Sequence, residues 1–182
     1  MAGMRSAILL ALTCSVANGV VTGWTSKFGF SYKVYEQNAT FDEAEVICVA
    51  DGGHLASIQS PEENLFVEAI TAANKPSIEY YDFVWIGLQQ RSGNKTWTWT
   101  DGSPVNYLNW APGEPNDVEE REHCVEFYNN PGIQLPNAIE TGWNDIDCNL
   151  KMKYFVCKKP DRVNVCKCIM QLNVDLQQIQ DA

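Results

Sequence analysis

Apolar and polar positions alternate weakly across residues 28–35, a run rich in strand formers, and this predicts a strand that opens a sheet. The period then changes. Phe41, Ala44 and Cys48 are spaced to share one helical face, Thr40 is a capping residue, and Gly52 and Gly53 stop a helix that runs to Ala50. A short strand is expected at 54–58. Ser60-Pro61-Glu62-Glu63 places a capping hydroxyl, a proline at the first helical position and an acid at the third, so a second helix runs to about residue 73. Leu65, Phe66, Ala69 and Ile70 are expected on its core face. Short strands follow at 83–89, 96–100, 123–128 and 153–158. Two helices and then strands predict an α+β fold.

Residues 101–124 break this pattern, because Pro, Gly, Asn and Asp are frequent there and periodicity is lost. A long irregular loop is expected, and such loops in compact domains are functional or disordered. Trp97, Trp99, Trp110 and Trp143 are read as core and loop-packing residues rather than exposed platforms. The loop holds Glu114-Pro115-Asn116 and ends on Glu122, two residues before Cys124; Trp143-Asn144-Asp145 stands three residues before Cys148. Two acid-and-amide pairs thus lie beside two cysteines. Ca²⁺ is a hard cation that takes about 6 to 8 oxygen ligands. Glu114, Asn116, Glu122, Asn144 and Asp145 supply oxygens of that kind. A vicinal diol replaces water on such an ion, and each hydroxyl then needs one acceptor and one donor. A carboxylate accepts and an amide NH₂ donates. Glu114 with Asn116, and Glu122 with Asn144, suit one hydroxyl each, while Asp145 completes the cage.

At these residues the chain resembles the C-type lectin family, whose long-form domain carries Glu-Pro-Asn, a later Glu before a cysteine, and Trp-Asn-Asp before the next cysteine. The resemblance runs from about Phe28 to Lys158 and includes Trp85-Ile86-Gly87-Leu88 and Gly52-Gly53-His54-Leu55-Ala56-Ser57-Ile58. It implies a C-type lectin fold: α+β, two helices and short antiparallel strands with a long calcium-binding loop. It also implies disulfides Cys48 to Cys157 and Cys124 to Cys148, and a cis peptide before Pro115. Glu-Pro-Asn implies mannose-type sugars, namely mannose, N-acetylglucosamine and fucose, where Gln-Pro-Asp goes with galactose. Many members bind a second Ca²⁺. Asp117 fits that site, but His123 stands directly before Cys124 and Gln89-Gln90-Arg91 offers no carboxylate, so one principal ion is expected. Val118 lies where members often place a residue that touches the sugar.

Outside this domain, Arg5, an apolar run at 7–16 and small residues at Ala17 and Gly19 predict a signal peptide over 1–19 and a secreted protein. Cleavage removes Cys14 and leaves six of the seven cysteines, an even count suited to an oxidising compartment. Sequence alone allows 15 pairings of six. The carbohydrate-recognition domain is placed at 24–160 and a C-terminal tail at 161–182. In the tail, Val165, Ile169, Leu172, Leu176 and Ile179 recur at spacings of four, three, four and three, the seam of a short coiled coil. Cys166 and Cys168 are too close in sequence to pair readily with each other, so an interchain bond and a homo-oligomer are the working hypothesis. Asn38-Ala39-Thr40 and Asn94-Lys95-Thr96 are N-glycosylation acceptors.

A net charge of −10 disfavours nucleic acid and anionic membrane surfaces, and no segment beyond the signal is apolar enough to insert in a bilayer. Only His54 and His123 are neutral-pH bases, no nucleophile triad, phosphate loop or zinc motif stands out, and Asp145-Ile146-Asp147-Cys148 lacks the glycine of an EF-hand. An enzyme is not expected. The leading expectation is a secreted Ca²⁺-dependent lectin that binds terminal mannose-type sugars on glycoproteins or microbial surfaces. The alternative keeps the fold and binds a protein, ice or mineral surface instead.

Overall fold

The computed structural model describes residues 23–72, 77–90, 95–132, 135 and 138–161. The expected signal at 1–19, the candidate acceptor Asn94, and the tail beyond Asp161 with Cys166, Cys168 and the expected apolar seam lie outside the described residues.

Both helices start where local chemistry directs. Thr40 Oγ1 accepts the Glu43 N–H at 3.3 Å and the Glu43 carboxylate accepts the Thr40 N–H at 2.9 Å, a reciprocal cap that opens α1 (Phe41–Ala50). Ser60 Oγ accepts the Glu63 N–H at 3.2 Å and opens α2 (Pro61–Thr71), with Pro61 at the first helical position. Gly52 ends α1 at φ +83°, a left-handed turn that costs glycine nothing. At Gly53 a Cβ would lie 2.4 Å from the Lys158 carbonyl oxygen, so only glycine lets the chain pass that close.

The strands are β1 (Thr25–Lys27), β2 (Phe30–Ala39), β3 (His54–Leu55), β4 (Val84–Gln90), β5 (Trp97–Trp99), β6 (Glu122–Phe127), β7 (Trp143–Asp147) and β8 (Met152–Pro160). They hydrogen-bond in the order β1-β2-β8-β4-β6-β7, with β3 beside β8 and β5 beside β4. Short 3₁₀ turns occupy Tyr80–Asp82 and Val118–Glu120. Cys48–Cys157 ties α1 to β8 and Cys124–Cys148 ties β6 to the end of β7, with Cα separations of 5.3 and 5.1 Å. Trp85, Phe41, Phe155 and Leu55 centre one apolar cluster; Trp99, Trp143, Ile86 and Val125 centre the next. Trp97 and Trp110 pack half-buried against the second. The tryptophans are therefore packing residues.

Three expectations are corrected. First, α2 does not bury Leu65, Phe66, Ala69 and Ile70 as a set: Leu65 is 61% exposed, and the helix buries Glu63, Asn64, Val67 and Thr71. The polar pair wins because it has partners. Lys158 Nζ meets Glu63 Oε1 at 2.6 Å, while Asn64 receives the Trp143 indole N–H at 2.9 Å and donates to the Thr141 carbonyl at 3.0 Å. Second, the pairs are not all antiparallel, since β4 runs parallel to β8. Third, β1 and β7 were not expected. In β7, Trp143-Asn144-Asp145-Ile146-Asp147, the buried acid Asp145 stands where an alternating strand would carry an apolar residue, which hides the strand's hydrophobic pattern.

Candidate functional site

The long loop between β5 and β6 has no β-strand or α-helix among the described residues, and β7 orders it by backbone contact. Trp143 N–H donates to the Asn109 carbonyl at 2.9 Å, and Ala111 N–H donates to the Trp143 carbonyl at 2.8 Å. Edge-to-face contacts of Trp143 with Trp110 and Tyr107 lock the same seam, with centroids 6.2 and 5.6 Å apart. Glu114 N–H then closes a turn onto Ala111, and the Glu114–Pro115 peptide is cis. X-Pro bonds have little trans preference, about 0.5–1 kcal/mol, so this loop can hold the isomer.

Asp145 is fully buried beneath that turn, and its two carboxylate oxygens accept the N–H groups of Asn116 at 2.9 Å and Asp117 at 2.8 Å. Val118 N–H sits between Asn116 Oδ1 at 3.2 Å and Glu122 Oε2 at 3.0 Å. The Asp145 charge also bears on the nearby Glu114 carboxyl. The loop and the β6–β7 pair thus gather Glu114, Asn116, Glu122 and Asp145. Asn144 precedes Asp145 on β7 and donates its amide N–H to Glu126 Oε1 at 2.9 Å. Glu126 was missed by the sequence reading: it faces Asn144 directly across β6–β7, a register visible only once β7 is a strand.

These acids crowd one another. Burial, then the Asp145 and Glu122 charges, pushes Glu114 up to about 7. Burial pushes Glu126 up to about 8, the Glu122 and Glu114 charges add to it, and the Asn144 hydrogen bond opposes it. Glu122 is raised by burial against the Val118 hydrogen bond, with Asp145, Asp117 and Asp147 adding to the rise. Glu114 Oε2 and Glu126 Oε2 are buried with no hydrogen-bond partner among the described residues. Buried carboxyls that also repel one another resist ionisation, and a cation relieves that penalty. Among the described residues no three His, Cys, Asp or Glu side chains converge as a metal cluster. The candidate oxygen donors are Glu114, Glu122 and Asp145 with the amide Asn116 in one neighbourhood, and Asn144 next to Asp145 on β7, without such a convergence. All offer hard oxygens, so the donor chemistry fits calcium rather than a thiolate- or imidazole-seeking metal.

Asp117 is set apart. It adopts the left-handed conformation, φ 48°, accepts the Glu122 N–H at 3.3 Å, and lies 3.7 Å from Lys95 Nζ and 3.8 Å from His123 Nδ1. Two nitrogen groups stand around the acid that a second ion would need. The other histidine is placed elsewhere: His54 Nδ1 lies 2.6 Å from Glu45 Oε1, and Glu45 also accepts the Leu55 N–H, which ties α1 to β3.

Residues 37–159 match the family model described as the lectin C-type domain. A C-type lectin mannose-binding isoform from Oxyuranus scutellatus is 34% identical over 138 residues, covering 74% of this chain and 80% of that protein. Among solved structures, the cow C-type carbohydrate-recognition domain of CD23, crystallised in the presence of GlcNAc2Man3 oligosaccharide, superposes with a TM-score of 0.64 at 29% identity, covering 79% of this chain and 98% of that one. A calcium-independent type II antifreeze protein gives a TM-score of 0.62 at 32% identity, covering 78% of this chain and 95% of that one. The fold held in common is a non-catalytic one.

Proposed function

The chain belongs to the C-type lectin domain family, and from that premise we propose that it is a secreted Ca²⁺-dependent lectin for terminal mannose-type sugars. The observation that carries the proposal is the seating of Glu114 and Asn116, either side of a cis Pro115, over a buried Asp145 whose carboxylate orders the next two backbone amides. Glu114, Asn116, Glu122, Asn144 and Asp145 would hold one ion, which when bound supplies a Lewis-acidic point where two neighbouring hydroxyls replace water. Glu114 and Glu122 accept hydrogen bonds from those hydroxyls. Asn116 and Asn144 donate to them. Asp145 serves as the anchor that keeps the loop in register with β7. The order Glu-Pro-Asn supports equatorial diols of the mannose type over galactose. Lys95 and His123 beside Asp117 support one ion rather than two.

Delivery and assembly are part of the same proposal. Residues 1–19 direct secretion, 24–160 form the recognition domain, and 161–182 associate chains through the apolar seam with Cys166 and Cys168. One sugar on one shallow site binds weakly, and linked sites raise avidity by about 10² to 10⁴ without a new contact. Among the described residues no helix is long and apolar enough to cross a membrane.

A second reading keeps the fold and drops the ion, so that the same face binds a protein or a surface. The similarity to a calcium-independent antifreeze protein favours it. Chromatography on mannose-agarose in millimolar Ca²⁺ separates the two. We expect retention, release by EDTA and by free mannose, and no release by galactose. Passage through the column by protein that nevertheless binds Ca²⁺ would point to another ligand.

A further inference from the structure

Glu126 has no task in the site as proposed. It is 2% exposed, flanked in β6 by Val125 and Phe127, and its Oε2 has no hydrogen-bond partner among the described residues. A carboxyl group in such a place is expensive, and an apolar residue of similar size would serve the sheet better. Its Oε1 accepts the Asn144 Nδ2–H at 2.9 Å, and the two residues are paired directly across β6 and β7.

We infer that Glu126 is a positioning residue for the ion site, acting through its hydrogen bond to Asn144. The inference rests on the calcium reading above. An asparagine amide carries an acceptor on one arm and a donor on the other, and a half-turn about its last bond exchanges them. With the donor toward a cation, Asn144 would repel what it must bind. The bond to Glu126 takes one N–H, fixes the plane of the amide and turns Oδ1 away from Glu126. The second N–H remains for a sugar hydroxyl. One cross-strand bond thereby sets both the ligand atom and the donor that Asn144 presents. Partners of this kind behind metal ligands change affinity when removed, by about 10- to 100-fold.

The test compares the full secreted chain with Glu126→Gln and Glu126→Leu. Calcium affinity is read by calorimetry and thermal melting is followed in EDTA. Glutamine keeps an oxygen for Asn144, and leucine keeps the volume and removes the acceptor. We expect the leucine variant to bind Ca²⁺ about 10- to 100-fold more weakly and to melt in EDTA no lower than the parent, with the glutamine variant close to the parent in affinity. Unchanged affinity in the leucine variant would overturn the inference. So would a fall in its EDTA melting temperature with recovery of affinity on cooling, which marks a structural role. If leucine prevents folding, the parent's Asn144 side-chain NH₂ resonances in EDTA decide: slow exchange and restricted rotation support the bond, and rapid exchange overturns it. A parent that takes no Ca²⁺ removes the calcium reading and this inference together, whereas a parent that takes Ca²⁺ beside an undiminished leucine variant removes this inference alone.

Discussion

Two polar clusters lie inside this domain, and they balance charge in opposite ways. Around β8, the Lys158 ammonium meets Glu63 at 2.6 Å and Ser57 through its carbonyl and hydroxyl, and Glu63 further accepts the Tyr32 hydroxyl and the Gln59 N–H. Burial pushes the neighbouring Asp101 up, yet hydrogen bonds from Ser103 and Ser57 and the Lys158 charge hold it below the ordinary range. Around β6 and β7, Glu114, Glu122, Glu126 and Asp145 gather, none of them in an ion pair among the described residues, and three of them are driven upward. In the first cluster the Lys158–Glu63 pair is internal and Asp101 is held by hydrogen bonds and the same ammonium, so this cluster belongs to the scaffold. The second needs protons or a cation from outside, which is what a ligand site requires.

The largest effect should come from breaking the self-balanced cluster. Lys158→Met leaves Glu63 buried and unpaired, and stability measured by urea should fall by about 3–5 kcal/mol, with part of the loss recovered on adding Glu63→Leu. The folded fraction of the single variant should still bind mannose. In the other cluster the expectation reverses. Glu122→Gln should leave stability in EDTA unchanged or raised, while calorimetric Ca²⁺ affinity drops on the order of 100-fold, close to 2.8 kcal/mol.

pH sharpens the contrast further. Glu114 and Glu126 start from 4.5 and are raised to about 7 and about 8, so between those limits the folded protein holds protons that the unfolded chain has released. Their contribution is greatest below pH 4.5 and is lost as pH rises through 7 and 8. In EDTA the domain should therefore be less stable at pH 8.5 than at 5.5 by on the order of 3 kcal/mol, chiefly from the buried Glu126, since the partly exposed Glu114 is discounted. In saturating Ca²⁺ the order should invert, because acid releases the ion as its carboxylates take up protons. Urea unfolding at both pH values, with and without Ca²⁺, measures this directly. The smallest effect is one of preference: Glu114→Gln with Asn116→Asp exchanges acceptor and donor around one hydroxyl. Galactose should then gain on mannose by about tenfold, near 1.4 kcal/mol, in competition for the same column; unchanged mannose preference would count against those roles.

The features legible in the sequence are the local ones. Thr40 and Ser60 announce their helices because a cap is written within four residues, and Glu114, Asn116, Glu122, Asn144 and Asp145 stand out because their spacing to two cysteines is local too. The reading failed where partners lie far along the chain. The buried face of α2 depends on Lys158 and Trp143, 95 and 79 residues from their partners Glu63 and Asn64. Glu126 gains meaning only from its register with Asn144, and β7 was hidden because a buried acid, Asp145, satisfied by the distant Asn116 and Asp117 amides, occupies an inward position of the strand. The Lys95 contact with Asp117 had no signal beyond a charged residue inside a glycosylation motif.

The central claim is that the unbalanced cluster takes one calcium ion, and calorimetric titration of the secreted protein with Ca²⁺ near neutral pH, in buffers of different ionisation heat, tests it most directly. The account predicts one ion per domain, bound with release of protons and weakened on the order of 100-fold by Glu122→Gln. No ion, a second ion of similar affinity, or binding without proton release would contradict it.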